Sequence, residues 1–155
     1  MTLYYSFLMG LFTFLQVKYF SDHGKALTGI WNCDFYRISI RVYPEGSKIN
    51  ANLLSFPCHH KIKKPLNEHF DFKNPDSNLR SRPWLHLPIL TNLTFSQHNV
   101  WTKGKVYIPP LGLYANASIV LINDTTLQVK LYKGIQLLGT SMIFNKSKTE
   151  PVSRF

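Results

Sequence analysis

A chain of 155 residues with 45% hydrophobic and 14% aromatic side chains has enough apolar material for one globular core, which excludes the disordered class. Its 18 Lys+Arg against 8 Asp+Glu give a formal net charge of +10, a balance that favours anionic partners such as phospholipid head groups, acidic glycans or nucleic acid. So few carboxylates leave little material for paired-carboxylate catalysis, and no nucleophile elbow, phosphate-cradling glycine loop or HExxH motif occurs.

From Leu3 to Val17 the sequence is almost wholly apolar and uncharged. This run suits a signal-peptide core and is short for a membrane span, which needs roughly 20 residues. Residues 1–26 therefore read as an export signal or an uncleaved anchor, with Gly24-Lys25-Ala26 the nearest approach to a processing site. The expected location is the periplasm or cell envelope, with residues 3–17 as a membrane anchor if retained. Export gives the cysteines meaning: Cys33 and Cys58 either form a disulfide in an oxidising compartment or stand as independent thiols. Cys58, His59 and His60 are adjacent, and adjacent side chains of an extended segment point to opposite sides, so no metal centre is expected there. No cofactor is expected.

Residues 27–147 read as one domain of strands, and residues 148–155 as a disordered tail. TGIWNCD (28–34) is the first strand. FYRISIRVYP (35–44) alternates, with Tyr36, Ile38, Ile40 and Val42 on one side and Arg37, Ser39 and Arg41 on the other. Glu45-Gly46-Ser47 is a turn, and KINANLLSF (48–56) sets Ile49, Ala51 and Leu53 against Asn50 and Asn52, completing a hairpin. HHKIKK (59–64) is a basic cluster, either a solvated loop or a contact for an anionic membrane surface. WLHLPILTNLTF (84–95) and GKVYI (104–108) follow. YANASIVLI (114–122) has Ala115, Ala117, Ile119 and Leu121 on one face and Asn116 and Ser118 on the other. TLQVKLY (126–132) has Leu127, Val129 and Leu131 inside, and LLGTSMIF (137–144) is last. About eight strands with short connections suggest a sandwich or a barrel. Closure removes exposed edges. The expected fold is all-β: an antiparallel up-and-down barrel of about eight strands, lipocalin-like, able to hold one small ligand.

Between the strands lies Asp71-Phe-Lys-Asn-Pro-Asp-Ser-Asn-Leu-Arg-Ser-Arg-Pro83. Asp71, Asn74 and Asp76 are turn formers that bond their own backbone. Pro75 and Pro83 fix φ and keep their neighbours out of a sheet. Arg80 and Arg82 are planar forks suited to carboxylate or phosphate. Two readings stand open. The loop satisfies itself, with Asp71 or Asp76 paired to Arg80 or Arg82, or an arginine stays free at the barrel mouth for an anionic ligand. Trp31, Trp84, Trp101, Tyr107 and Tyr114 likewise either fill the core or line a cavity.

Asp71, Lys73, Asn74, Pro75, Asp76, Leu79, Arg80, Arg82 and Pro83 form a block that resembles a bacterial family of exported proteins, domain of unknown function 2147. Trp101, Gly104, Tyr107 and Pro109 continue the resemblance, as do Gly112 and Tyr114, Leu138 and Gly139, and the opening Gly29 and Trp31. It covers roughly residues 28–146. The chain departs from the family pattern at His86, where a glycine is usual, and at Ile108, where an aspartate usually precedes the proline. It departs again at Leu113, usually lysine, and in the Ile143-Phe144 region, which replaces a closing tryptophan. The resemblance implies an exported domain and a lipocalin-like barrel, and no established reaction.

The expected function is non-enzymatic binding of a small amphipathic or anionic ligand. Arg80, Arg82 and Asn74 would supply polar contacts, and Trp31, Trp84, Trp101, Tyr107 and Tyr114 apolar surface. Alternatives are a structural or interaction protein with a filled barrel and, less favoured, an OB-like barrel that binds nucleic acid. Oligomeric state is not legible in the sequence.

Overall fold

Eight antiparallel strands each lie beside their sequence neighbours, and the last returns to the first, so the sheet closes into a barrel. The computed structural model describes residues 24–57, 65–135, 137 and 139–149. The strands are β1 (Gly29–Cys33), β2 (Ile38–Glu45), β3 (Lys48–Ser55), β4 (Pro88–Gln97), β5 (Val100–Ile108), β6 (Leu113–Asn123), β7 (Thr126–Tyr132) and β8 (Thr140–Ser147). This meander is the expected up-and-down order. It is not the five-stranded Greek-key order of an OB-type barrel, which removes the fold basis for the nucleic-acid alternative.

Alternation puts every second side chain inside, and the register matches those residues across strands. Ile40 faces Leu53, Val42 faces Ala51, Ile119 faces Val129 and Leu121 faces Leu127. Most of these belong to one buried cluster that includes Trp31, Leu93, Trp101 and Phe144. Three strands start or end away from the sequence expectation. β2 begins at Ile38, because Arg37 turns the chain at φ 52 and leaves Tyr36 outside. β4 begins at Pro88, because residues 84–87 form a turn with His86 at φ 62. β5 begins early, at Val100. Asn50 was expected to point outward but is buried, since its side chain accepts the Asn92 N–H (2.9 Å) and donates to Glu45, at a bulge between β3 and β4. Ser118 is buried as well.

The two ends of the barrel differ. At one end residues 24–27 make a helical turn, and Leu27 is fully buried beneath the strands. The Trp31 indole N–H donates to the Leu27 carbonyl at 2.7 Å, and Lys146 lies over the Trp31 ring while donating to the Ala26 carbonyl at 3.1 Å. These contacts plug that end. The other end, called the mouth below, carries the β1–β2, β3–β4, β5–β6 and β7–β8 connections. Residues 1–23, including the apolar run 3–17, lie outside the described residues, as do Cys58, the basic cluster 59–64 and the end of the tail.

The plug sets an expectation. Trp31→Phe keeps most of the packing but leaves a buried carbonyl without its donor. It should cost about 1–3 kcal/mol in urea unfolding. A variant as stable as the parent would mean that the Leu27 carbonyl is not held by this bond.

Candidate functional site

The mouth half of the barrel is not filled. A cavity of about 210 Å³ opens there, with an almost wholly apolar lining that includes Ile40, Leu53, Val129, Leu131, Met142 and the ring of Tyr107. The lining residues come from the mouth-proximal parts of β2, β3, β4, β5, β7 and β8. Mostly aliphatic side chains line this half without filling it, whereas Trp31 and Trp101 occupy the plugged half and are absent from the cavity wall.

Above the cavity the long β3–β4 connection is tied down by one carboxylate. Asp71 is fully buried, and both of its oxygens are used. Oδ1 accepts from the Tyr107 hydroxyl at 2.5 Å; Oδ2 accepts from the Asn74 side-chain amide at 2.7 Å and from Arg82 at 3.5 Å. A buried carboxylate is tolerated only when paired and hydrogen-bonded in this way, and a short O–H···O⁻ bond is the strong, charge-assisted kind. The backbone closes the same loop, since the Asp71 N–H donates to the Arg82 carbonyl and the Asn74 N–H to the Asp71 carbonyl. Tyr107 is held strongly protonated: burial and then the Asp71 carboxylate push its hydroxyl well above the usual tyrosine range.

Three side-chain contacts hold the two arginines. Arg82 pairs with Asp71, loosely, donates through Nε to the Leu79 carbonyl at 3.4 Å, and remains 36% exposed. Arg80 donates through Nε to the Asn74 carbonyl at 2.8 Å and pairs with neither aspartate. Among the described residues Asp76 pairs with no arginine; it accepts the Asn78 N–H and caps a short 3₁₀ turn, Ser77–Leu79. Pro75 is exposed, and Pro83 bridges to Phe70 across the neck of the loop. The Asn74 side-chain oxygen accepts the Asp76 N–H. Asn74 is therefore fully engaged in holding the loop.

The loop also meets the β5–β6 hairpin. Lys73 donates to the Pro110 carbonyl at 2.7 Å, and a Cβ at Gly112 would collide with the Lys73 carbonyl. Gly112 also has φ +66, so glycine is needed there twice over. Tyr114, half exposed, packs on Tyr107 with ring centroids 4.8 Å apart. Trp84 lies outside the barrel, against His69 (5.5 Å) and edge-on to the cavity-lining Phe56 (5.6 Å).

The structure thus brings Asp71, Asn74, Arg82 and Tyr107 into one cluster, with Tyr114 at its edge, and separates Trp31 and Trp101 from it. Cys33 is buried in β1; its proposed partner, Cys58, is outside the described residues. Sequence reasoning did not select Phe56, Ile89 or Met142 as cavity residues. The only signal for them is alternation onto the inner face near the mouth, and alternation does not say where packing fails.

Residues 29–146 match the family described as "Uncharacterized protein conserved in bacteria (DUF2147)". Among solved structures the chain is similar to a protein described as "Protein HP1028 from the human pathogen Helicobacter pylori belongs to the lipocalin family". The TM-score is 0.67 at 18% identity, over 80% of this chain and 84% of that one, a likeness of fold. No curated protein matches the sequence.

The cluster predicts a hierarchy. Asp71→Ala strips two buried donors of their acceptor, at roughly 1–3 kcal/mol each, and should cost about 2–5 kcal/mol in urea unfolding. Arg82→Ala removes a long, loose contact of a side chain that is about a third in solvent, leaves Asp71 its two shorter bonds, and should cost less than about 1 kcal/mol. Equal effects would contradict the assignment. The tyrosine adds a pH signature. Because folding raises the Tyr107 pKa, its contribution is fully present below the ordinary value of about 10 and is lost as pH rises through the folded value. Spectrophotometric titration of the folded protein should show a late tyrosine that is absent in Tyr107→Phe. The stability gap between parent and Tyr107→Phe should hold up to pH about 10 and shrink above it.

Proposed function

The chain belongs to the bacterial DUF2147 family, and on that premise we propose that it binds a small apolar or amphipathic molecule by its hydrocarbon part, inside the mouth-end cavity. The observation that carries this reading is the unfilled, almost wholly apolar space of about 210 Å³ at the end of the barrel opposite the plug. Eight-stranded barrels have interiors just wide enough to be filled or to hold one small ligand, and the unfilled half favours the second case here. An apolar cavity of about 150 Å³ is already sufficient to take up benzene. Drug-sized ligands occupy roughly 300 Å³ or more. The cavity therefore suits one short hydrocarbon segment, such as the end of an acyl chain, with the polar end left at the mouth.

A polar head group at the mouth has a cation at hand. Arg82 is one contact from Tyr107 through Asp71, is loosely paired and keeps a third of its side chain in solvent. Arg80 is exposed, its Nε spent on a backbone carbonyl. Both suit a carboxylate or phosphate end. In this reading the chain is exported to the bacterial envelope by residues 3–17 and carries no catalytic group.

The test is a binding titration. A dansyl-labelled fatty acid should bind the parent protein and be displaced by octanoate. Leu131→Trp, which puts an indole into the cavity, should weaken the probe at least tenfold without lowering the Tm. Unchanged affinity in that variant would place the probe elsewhere and sink the proposal.

A further inference from the structure

The two ends of the barrel also differ in what they show to solvent. At the plugged end the strands are joined by polar turns: Gly46-Ser47, His98-Asn99 and Asp124-Thr125. At the mouth every connection presents large apolar side chains. Phe35 is 87% exposed in the β1–β2 loop, Phe72 71% in the β3–β4 connection, and Leu137 83% in the β7–β8 loop, with Ile135 beside it and Leu111 at the β5–β6 turn. Nine of the twelve exposed large hydrophobic side chains among the described residues sit at this end. Scattered exposed hydrophobics are ordinary; a set drawn from four separate loops around one opening marks an interaction surface.

Several observations on this surface point to a lipid bilayer. The side chains project from loop tips around a ring, a shape that fits a planar, deformable apolar phase. Three of the four loops have a cation next to an apolar tip or two residues away: Arg37 follows Tyr36, Lys73 follows Phe72, and Lys133 precedes Ile135. Asp34, Glu68 and Asp76 partly offset these on the same rim, and the chain as a whole carries +10. That charge draws the protein to anionic head groups, and apolar tips then enter the interface. Leu113 extends the apolar character of the rim, at 56% exposure.

We propose that the mouth of the barrel, through Phe35, Phe72, Leu111, Ile135 and Leu137, docks onto an anionic membrane surface. The docking does not depend on the cavity holding a ligand. If both hold, the cavity opens directly onto the bilayer, and a hydrocarbon chain could pass between them without crossing water.

The test uses full-length chains with vesicles of phosphatidylethanolamine and phosphatidylglycerol containing brominated lipid, which quenches tryptophan on contact. Phe72→Trp and Ile135→Trp report on the mouth, and Thr125→Trp on the plugged end. All three share the same residues 3–17, so only the difference between ends is read. The expected result is added quenching at positions 72 and 135 and none at 125. The double variant Phe35→Asp/Ile135→Asp should bind these vesicles at least tenfold more weakly, with its Tm unchanged. Equal quenching at both ends, quenching at 125 alone, or no quenching at the mouth would overturn the proposal. So would mouth-dependent dimerisation in sedimentation without quenching by lipid, which would assign the ring to a second copy of the chain.

Discussion

A buried carboxylate cannot be left alone. Asp71 sits at zero exposure, and the mouth end of the barrel is arranged around satisfying it. The Tyr107 hydroxyl comes from β5, the amide from Asn74, the guanidinium from Arg82. One side chain thereby joins the start of the loop, its end and the barrel wall. Lys73 and Gly112 extend the clasp to the next hairpin. The long connection between β3 and β4 would otherwise cross the mouth with little beneath it. Fixed in this way, it frames the opening and leaves the space below it empty.

The clasp explains why the barrel has two unlike halves. Bulk is spent at the plugged end, where two tryptophans and Leu27 fill the interior and the 24–27 turn covers it. At the mouth the polar network holds the lid region from above, so packing from within is not needed to keep the loop in place. The same network buries Asp71 and Asn74, while Phe72 between them faces solvent. Cavity, clasp and rim are consequences of one division of labour: polar groups fix the connection, and apolar groups are free to meet something else.

Much of this was legible in the sequence. Alternation over residues 38–44, 49–53 and 127–131 marks strands with a defined inner face, and even spacing implies a meander closed on itself. The 71–83 block stands out by its turn chemistry and its family resemblance. What the block does was not legible, because Asp71 meets its strongest partner 36 residues away in sequence, on β5. Asp76 and Arg80 looked equivalent to Asp71 and Arg82 as charges; the fold separates them, because only Asp71 lies beneath the loop, while Asp76 caps an exposed turn. The tryptophans were ambiguous for a similar reason. Inner-face position is set by the two-residue period, but which end of the barrel a residue occupies depends on strand register and closure, and that decides between plug and cavity. The turn before β4 was not legible either, because nothing in the local sequence marks His86 for its φ of 62.

An empty half-barrel invites a direct question: where does a hydrocarbon go when offered? Methyl-resolved NMR of the full chain, titrated with octanoate, answers it site by site. Shifts should concentrate on Ile38, Ile40, Leu53, Val129, Leu131 and Met142, with Leu27, Ile49 and Leu127 at the plugged end unmoved. No saturable shifts, or shifts spread evenly over both halves, would contradict binding in the mouth-end cavity.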